Sequence, residues 1–177
     1  DSPIQLCFYA RGTHQKVPVD GSALAEPVIN DVANRIVDWL NEHKVNRIDL
    51  KSLIIRSNGK GQAVAALFVK RGIDPKVMLE LNDDLVGFHV YFSDPKSPAS
   101  VPTELLYASG KDSLVANIGG VDLRFGLLSF FQVNQRLFET ALESISNFIG
   151  KGQDVLDFYS GVGSIGLPLS LNARSVT

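Results

Sequence analysis

The chain has 177 residues but only one cysteine, one methionine and one tryptophan, with three histidines. A lone Cys7 excludes a disulfide within the chain and argues against a zinc or iron–sulfur centre held by cysteines. It reads as a buried structural thiol in an opening strand. His14, His43 and His89 lack metal-ligand spacing, so none is assigned to a metal or to catalysis. No apolar run approaches the roughly 18 residues needed to cross a bilayer, and no basic-plus-apolar leader opens the chain. A cytoplasmic setting without a membrane partner is expected. A strong charge of one sign is also missing: 17 Lys and Arg stand against 19 Asp and Glu, a net charge of −2. Residues 1–76 carry 11 cations and 8 anions (+3), and residues 77–177 carry 6 and 11 (−5). The front is thus mildly basic, far short of a dedicated nucleic-acid binder, although an RNA-facing surface is allowed. Repeats and low-complexity segments are absent as well.

What is present is ordinary globular chemistry, 45% hydrophobic and 20% charged, in a chain long enough for one domain and part of another. Residues 6–9 and 16–19 read as short strands about a polar turn at Gly12-Thr13-His14. Pro27 starts a helix with Ile29, Val32, Ala33, Ile36 and Leu40 on one face. Asp31, Arg35, Asp38 and Glu42 point outward, with Asp31 and Arg35 spaced as an ion pair. Strands at 53–55 and 63–69 flank Asn58-Gly59-Lys60-Gly61, a hairpin turn. A short helix at 74–81 and a strand at 85–92 follow. Residues 93–102 form a Pro/Ser-rich surface loop or mobile connection. Strands at 114–118 and 121–125 turn on Gly119-Gly120. Asn134 is a natural N-cap for a helix at 135–149, whose apolar stripe is Leu137, Phe138, Ala141, Leu142, Ile145 and Phe148. Gly150 and Gly152 stop it.

The most informative run is Val155-Leu156-Asp157-Phe158-Tyr159-Ser160-Gly161-Val162-Gly163-Ser164. A strand, 154–158, ends near a carboxylate, and a glycine turn opens a helix at Ser164. Such a unit cradles a nucleotide-like cofactor, and Gly161-x-Gly163-x-x-Gly166 also fits the dinucleotide fingerprint. Asp157 tilts the choice. A fixed carboxylate there opposes a pyrophosphate, whereas S-adenosylmethionine carries a sulfonium and an ammonium and no phosphate. The plainer alternative is that Asp157 caps the next turn.

With these segments in view, the chain resembles the uracil-5 RNA methyltransferases. Ser129-Phe130-Phe131-Gln132-Val133-Asn134 before a long helix is similar to that family's entrance to its catalytic domain. Val155 to Ser164, continuing Ile165-Gly166-Leu167-Pro168-Leu169, is similar to its cofactor motif. Phe8-Tyr9-Ala10-Arg11-Gly12-Thr13-His14 and Pro27-Val28-Ile29-Asn30 resemble the central domain of its ribosomal RNA members. The implied fold is α/β: a mixed-sheet central domain, residues 1–126, followed by the first β-α unit of a Rossmann-like methyltransferase domain, residues 127–177.

The resemblance implies methyl transfer from S-adenosylmethionine to C5 of a uridine in RNA, ribosomal RNA ahead of transfer RNA. It places Gln132 on the methionine part of the cofactor, and Tyr159 with the backbone of Gly161 and Gly163 around the pocket. Ser164 stands where relatives often carry asparagine. Gln132 could instead be a structural amide, and Phe130 and Phe131 are read as core. The family's chemistry uses a cysteine thiolate on C6 and a carboxylate base, both positioned after Thr177 in relatives. The chain is accordingly read as the front of a longer enzyme, inactive by itself. Relatives with an iron–sulfur cluster carry a ligand where Ser22 stands, so no cluster is expected. Two alternatives remain: a non-catalytic RNA-binding module, and a nicotinamide-dependent oxidoreductase fragment. The strand at 154–158 needs cover, from docking on the first domain, from a strand-exchanged dimer, or else disorder follows Gly150.

Overall fold

The computed structural model of the chain describes residues 3–13, 15–73, 78–97 and 99–177. A four-stranded sheet in the order β3-β4-β5-β6 lies at the centre. Its strands are β3 (Leu50–Ser57), β4 (Ala63–Val69), β5 (Leu85–Phe92) and β6 (Glu104–Gly110). Only the β4–β5 pair is parallel, so the sheet is mixed. The sequence of β4, Ala-Val-Ala-Ala-Leu-Phe-Val, is buried at every position. A continuous apolar run of this length suits a strand covered on both faces.

The two faces have different covers. Ala63, Ala65, Leu67 and Val69 face α1 (Pro27–Glu42), whose Val32, Ile36, Trp39 and Leu40 complete one core with Leu85, Phe88 and Val90. The alternate residues Val64, Ala66 and Phe68 face a second core. That core is built from the hairpin β7 (Ser113–Ile118) and β8 (Val121–Gly126) and from α2 (Gln135–Ile149). The period-two alternation of one strand thus sets up three layers. Leu114, Phe125, Leu127, Phe131 and Leu142 all belong to the second core, which runs continuously across residues 126 and 127.

Several expectations need revision. Cys7 is exposed, because β1 (Cys7–Tyr9) and β2 (Lys16–Pro18) form a separate ribbon away from both cores. Arg35 does not pair with Asp31; its Nη2 donates to the Glu80 carbonyl at 2.6 Å. His14 and residues 74–77 of the expected helix lie outside the described residues, and 78–81 run without helix. Strand β6 had no alternating pattern to announce it, since Leu105, Leu106 and Tyr107 are consecutive. The Pro/Ser-rich loop is tied down rather than loose. Lys51 Nζ donates to Ser93 Oγ and to the carbonyls of Asp94 and Ser97, each at 3.0 Å. The 93–97 segment is thereby strapped to edge strand β3. Among the described residues no helix is long and apolar enough to cross a membrane.

Candidate cofactor site

The site is assembled from two stretches, 127–135 and 154–166. In the first, Phe131 is 3% exposed and stacks on Phe125 with ring centroids 3.8 Å apart. Phe130, also expected in the core, is instead 74% exposed. Adjacent residues of an extended segment point to opposite sides, and only one side meets the core. Gln132 follows, half-buried, with no hydrogen-bond partner for its amide among the described residues. Asn134 caps α2 as its sequence suggests, its side chain accepting the Leu137 N–H at 3.0 Å. Within the stripe of α2, Leu142 is buried, whereas Leu137 and Phe148 are exposed. The stripe is wider than the surface that β7, β8 and the sheet offer it.

Strand β9 is shorter than expected, Asp154–Val155, and pairs in parallel with β10 (Ser175–Val176). Strand β10 is too short to signal itself in sequence. Its register is fixed by Arg174, which forms a two-pronged ion pair with Asp154, and by Ser175, whose hydroxyl donates to Asp154 Oδ1 at 2.7 Å. The Arg174 guanidinium, aided by Ser175, holds the Asp154 carboxyl below its ordinary range. The same contact raises Arg174.

Between these strands the chain makes a run of turns, then α3 (Gly166–Leu169). The helix starts at Gly166 and not at Ser164. Pro168 has no N–H to give the Ser164 carbonyl, but in the first turn of a helix from Gly166 that donor is not needed. Tyr159 is fully exposed and holds φ at +61°, a left-handed backbone uncommon outside glycine. Gly161 and Gly163 are left-handed too, at +56° and +74°. A Cβ on Gly161 would meet only the Tyr159 carbonyl, 3.9 Å away. The Gly163 N–H is already engaged, donating to the Ser160 carbonyl at 2.8 Å. The N–H groups of Gly161, Val162, Ser164 and Ile165 have no partner among the described residues.

Asp157 does cap the turn: its Oδ2 accepts the Gly166 N–H at 2.9 Å. Its second oxygen stays available. The loop therefore combines a half-used carboxylate with a row of unpaired backbone donors. That set fits a ligand bearing both an ammonium and a carboxylate, such as the amino-acid end of S-adenosylmethionine. It suits a pyrophosphate less well, because the carboxylate sits beside the helix start where a phosphate would bind.

Val162 and Ile165 pack against the same core that holds Phe131, Phe138 and Leu142. The loop is thus docked on the body of the chain, and one core holds both stretches of the site. No hydrogen bond joins Gln132 to Tyr159, Gly161, Gly163 or Ser164. A residue not singled out from sequence, Gln135, is 7% exposed and donates through Nε2 to the Ser57 carbonyl at 2.8 Å. It couples the start of α2 to the β3–β4 turn. The hint was a glutamine in the first turn of an amphipathic helix, on the side that becomes buried.

No protein-family model matches the chain. Among curated proteins it is 23% identical over 187 residues to an uncharacterised RNA methyltransferase of Fusobacterium nucleatum, covering 96% of this chain and 40% of that protein. It is 24% identical over 194 residues to an uncharacterised RNA methyltransferase of Enterococcus faecalis, covering 99% and 42%. The chain thus spans less than half the length of these relatives. Among solved structures it resembles the tRNA (uracil-54, C5)-methyltransferase of Pyrococcus abyssi in complex with S-adenosyl-L-homocysteine. The TM-score is 0.71 at 20% identity, over 92% of this chain and 43% of that one. By sequence over nearly its whole length the chain is a relative of the RNA methyltransferases, and it has the fold of part of a tRNA uracil-C5 methyltransferase.

Proposed function

We propose that this chain forms the front of an S-adenosylmethionine-dependent enzyme that methylates C5 of a uridine in RNA, ribosomal RNA ahead of transfer RNA. Residues 1–126 are read as the central unit and residues 127–177 as the donor-binding unit, working in the cytoplasm. The observation that carries this reading is Asp157, half-used by Gly166, beside the unpaired N–H groups of Gly161, Val162 and Ser164. In this reading Asp157 takes the cofactor's ammonium and those N–H groups take its carboxylate. Gln132, with its amide unengaged, takes a further polar atom of the methionine part, and the exposed Tyr159 ring covers the adenosyl side. The cofactor supplies an electrophilic methyl on a sulfonium; the chain binds and orients it.

The thiol chemistry of uracil-5 methylation has no candidate here. Cys7 stands on the exposed ribbon, with no basic hydrogen-bond partner among the described residues, so we assign it no step, and the chain alone is read as silent in methyl transfer. Ser22 is used locally: its hydroxyl accepts the Leu24 N–H at 3.3 Å, and Asn30 holds its backbone. A serine hydroxyl offers no thiolate to a cluster, so no iron–sulfur ligand is proposed at this position.

Calorimetric titration of the chain with S-adenosylhomocysteine and, separately, with NAD tests the donor assignment. Binding of the first and not the second is expected, together with no transfer of labelled methyl to RNA. Preference for NAD would overturn the donor site, and methyl transfer by the chain alone would overturn the silence.

A further inference from the structure

The ribbon β1–β2 takes no part in the site above, and all six of its strand residues are exposed. Phe8 is 56% exposed, Tyr9 65% and Val17 43%. The antiparallel register sets Phe8 opposite Val17 and Tyr9 opposite Lys16, with Arg11 in the turn. Phe8 and Val17 take one face of this narrow ribbon and Tyr9 and Lys16 the other, so each face carries an aromatic ring, and no residue between 3 and 19 is an anion.

An isolated two-stranded ribbon is marginal in water, but this one is bracketed at both legs by asparagines of α1. The Ile4 N–H donates to Asn41 Oδ1 at 2.8 Å, and Asn41 Nδ2 donates to the Ile4 carbonyl at 3.0 Å. On the second leg, Asn34 Nδ2 donates to the Asp20 carbonyl at 3.0 Å. Asn30 Oδ1 accepts the Ser22 N–H at 2.8 Å, and its Nδ2 donates to the Ser22 carbonyl at 3.1 Å. A Cβ on Gly21 would fall 2.7 Å from that Asn30 oxygen, so the chain passes close to the helix there. Asparagine is a poor helix former because its amide competes for backbone partners. Three of them inside one helix make sense as brackets that hold the ribbon out from the body.

We propose that this ribbon is a docking surface for a single-stranded segment of RNA that bends round it, with one base stacked on Phe8 on one face, another on Tyr9 on the other, and phosphates on Arg11 and Lys16. The proposal rests on the RNA methyltransferase reading and adds to it a surface outside the donor site. Stacking is available to any base, and the neighbouring cations neutralise the backbone, so the surface favours unpaired RNA without choosing its sequence. A duplex hides its base faces and would gain only the phosphate contacts.

The test is fluorescence anisotropy of a labelled oligouridylate with the whole chain, at two salt concentrations, alongside a duplex of equal length. Phe8→Ala and Tyr9→Ala are each expected to weaken single-strand binding about ten-fold while leaving the salt slope unchanged. Arg11→Gln and Lys16→Gln are expected to make that slope shallower by roughly 0.7 per charge removed. Thermal unfolding of each variant is followed in parallel, and a loss of binding counts for the surface where the unfolding temperature is kept. The surface is refuted if the aromatic variants bind as the parent does, or if they lose binding to anionic phospholipid vesicles and not to RNA. A chain that binds S-adenosylhomocysteine and RNA, yet ignores all four substitutions, refutes the ribbon and leaves the methyltransferase reading standing. A chain that binds RNA through the ribbon but takes no S-adenosylhomocysteine does the reverse.

Discussion

Asp157 Oδ2 and the Gly166 N–H are joined at 2.9 Å, so the stretch after β9 and the start of α3 form one closed unit. The contact needs glycine: a Cβ at residue 166 would fall 2.7 Å from the same oxygen. A carboxylate accepting an amide makes a charge-assisted bond, stronger than a neutral one. Asp157→Ala should therefore cost about 1 kcal/mol of stability in urea unfolding, as for other lost caps. Asp157→Asn keeps an acceptor and should restore most of it. If Asp157 also receives the cofactor's ammonium, both variants should lose affinity for S-adenosylhomocysteine in calorimetry. An asparagine variant that is stable and binds as tightly as the parent would reduce Asp157 to a cap.

Gln135 and the β3–β4 turn make a second, independent junction. Gln135 Nε2 satisfies the Ser57 carbonyl, while Asn58 Oδ1 accepts the N–H groups of Lys60 and Gln62, at 2.9 and 3.1 Å. Gly59 has φ of +70°, and a Cβ there would overlap Gln135 Oε1. Gln135→Leu leaves a buried carbonyl without its donor, a loss of about 1–3 kcal/mol. Gly59→Ala should be at least as damaging, because it adds backbone strain to the overlap. The double variant Gly59→Ala with Gln135→Ala removes the overlap, so its loss should be clearly less than the two single losses added. Strict additivity in urea midpoints would mean the two residues do not meet.

These junctions mark where sequence reading works and where it stops. Helix α2 was legible to its ends, because Asn134 offers a cap, the apolar residues repeat at helical spacing, and Gly150 supplies the left-handed stop at φ +77°. Strand β4 was legible because a wholly apolar run bounded by turns is a buried strand. The glycine loop was legible as a loop, and Asp157 as a cap or a ligand. The burial of Gln135 was not, because it depends on a turn 78 residues earlier in the chain. Strand β10 was invisible for a related reason: two residues carry no period, and only their pairing with β9 makes them a strand. Cys7 reads as buried because its strand looks apolar, yet apolar residues in a strand do not show whether a core lies beneath it. The asparagines of α1 hold that ribbon away from any core.

Phe130 and Phe131 offer a direct test of the division between core and site. Phe131 lies in the second core against Phe125, whereas Phe130 is mostly in solvent. Phe131→Ala should cost about 3–5 kcal/mol, through lost burial and the cavity left behind. Phe130→Ala should change stability by no more than about 0.5 kcal/mol, as is usual for exposed positions. The informative comparison is calorimetric. A Phe130→Ala variant that folds normally but loses S-adenosylhomocysteine would add that ring to the donor site; equal stability losses for the two variants would contradict the packing.

His89 should make the chain sensitive to mild acid. It is 5% exposed on β5, with its Nδ1 3.4 Å from the Tyr91 hydroxyl. Burial pushes its pKa below the ordinary value of 6.5, and the Asp112 charge and the Lys111 backbone oppose this only in part. The unfolded chain therefore takes up this proton before the folded chain does. Above the unfolded pKa both states are neutral and His89 contributes no pH dependence. As the pH falls below it, stability drops, by at most about 1.4 kcal/mol per pH unit for one proton. The drop ends once the folded pKa is passed. Urea midpoints measured from neutral pH downward should show this limb, and His89→Gln, which cannot take the proton, should flatten it. A variant with the same slope as the parent would assign the acid sensitivity to the carboxylates instead.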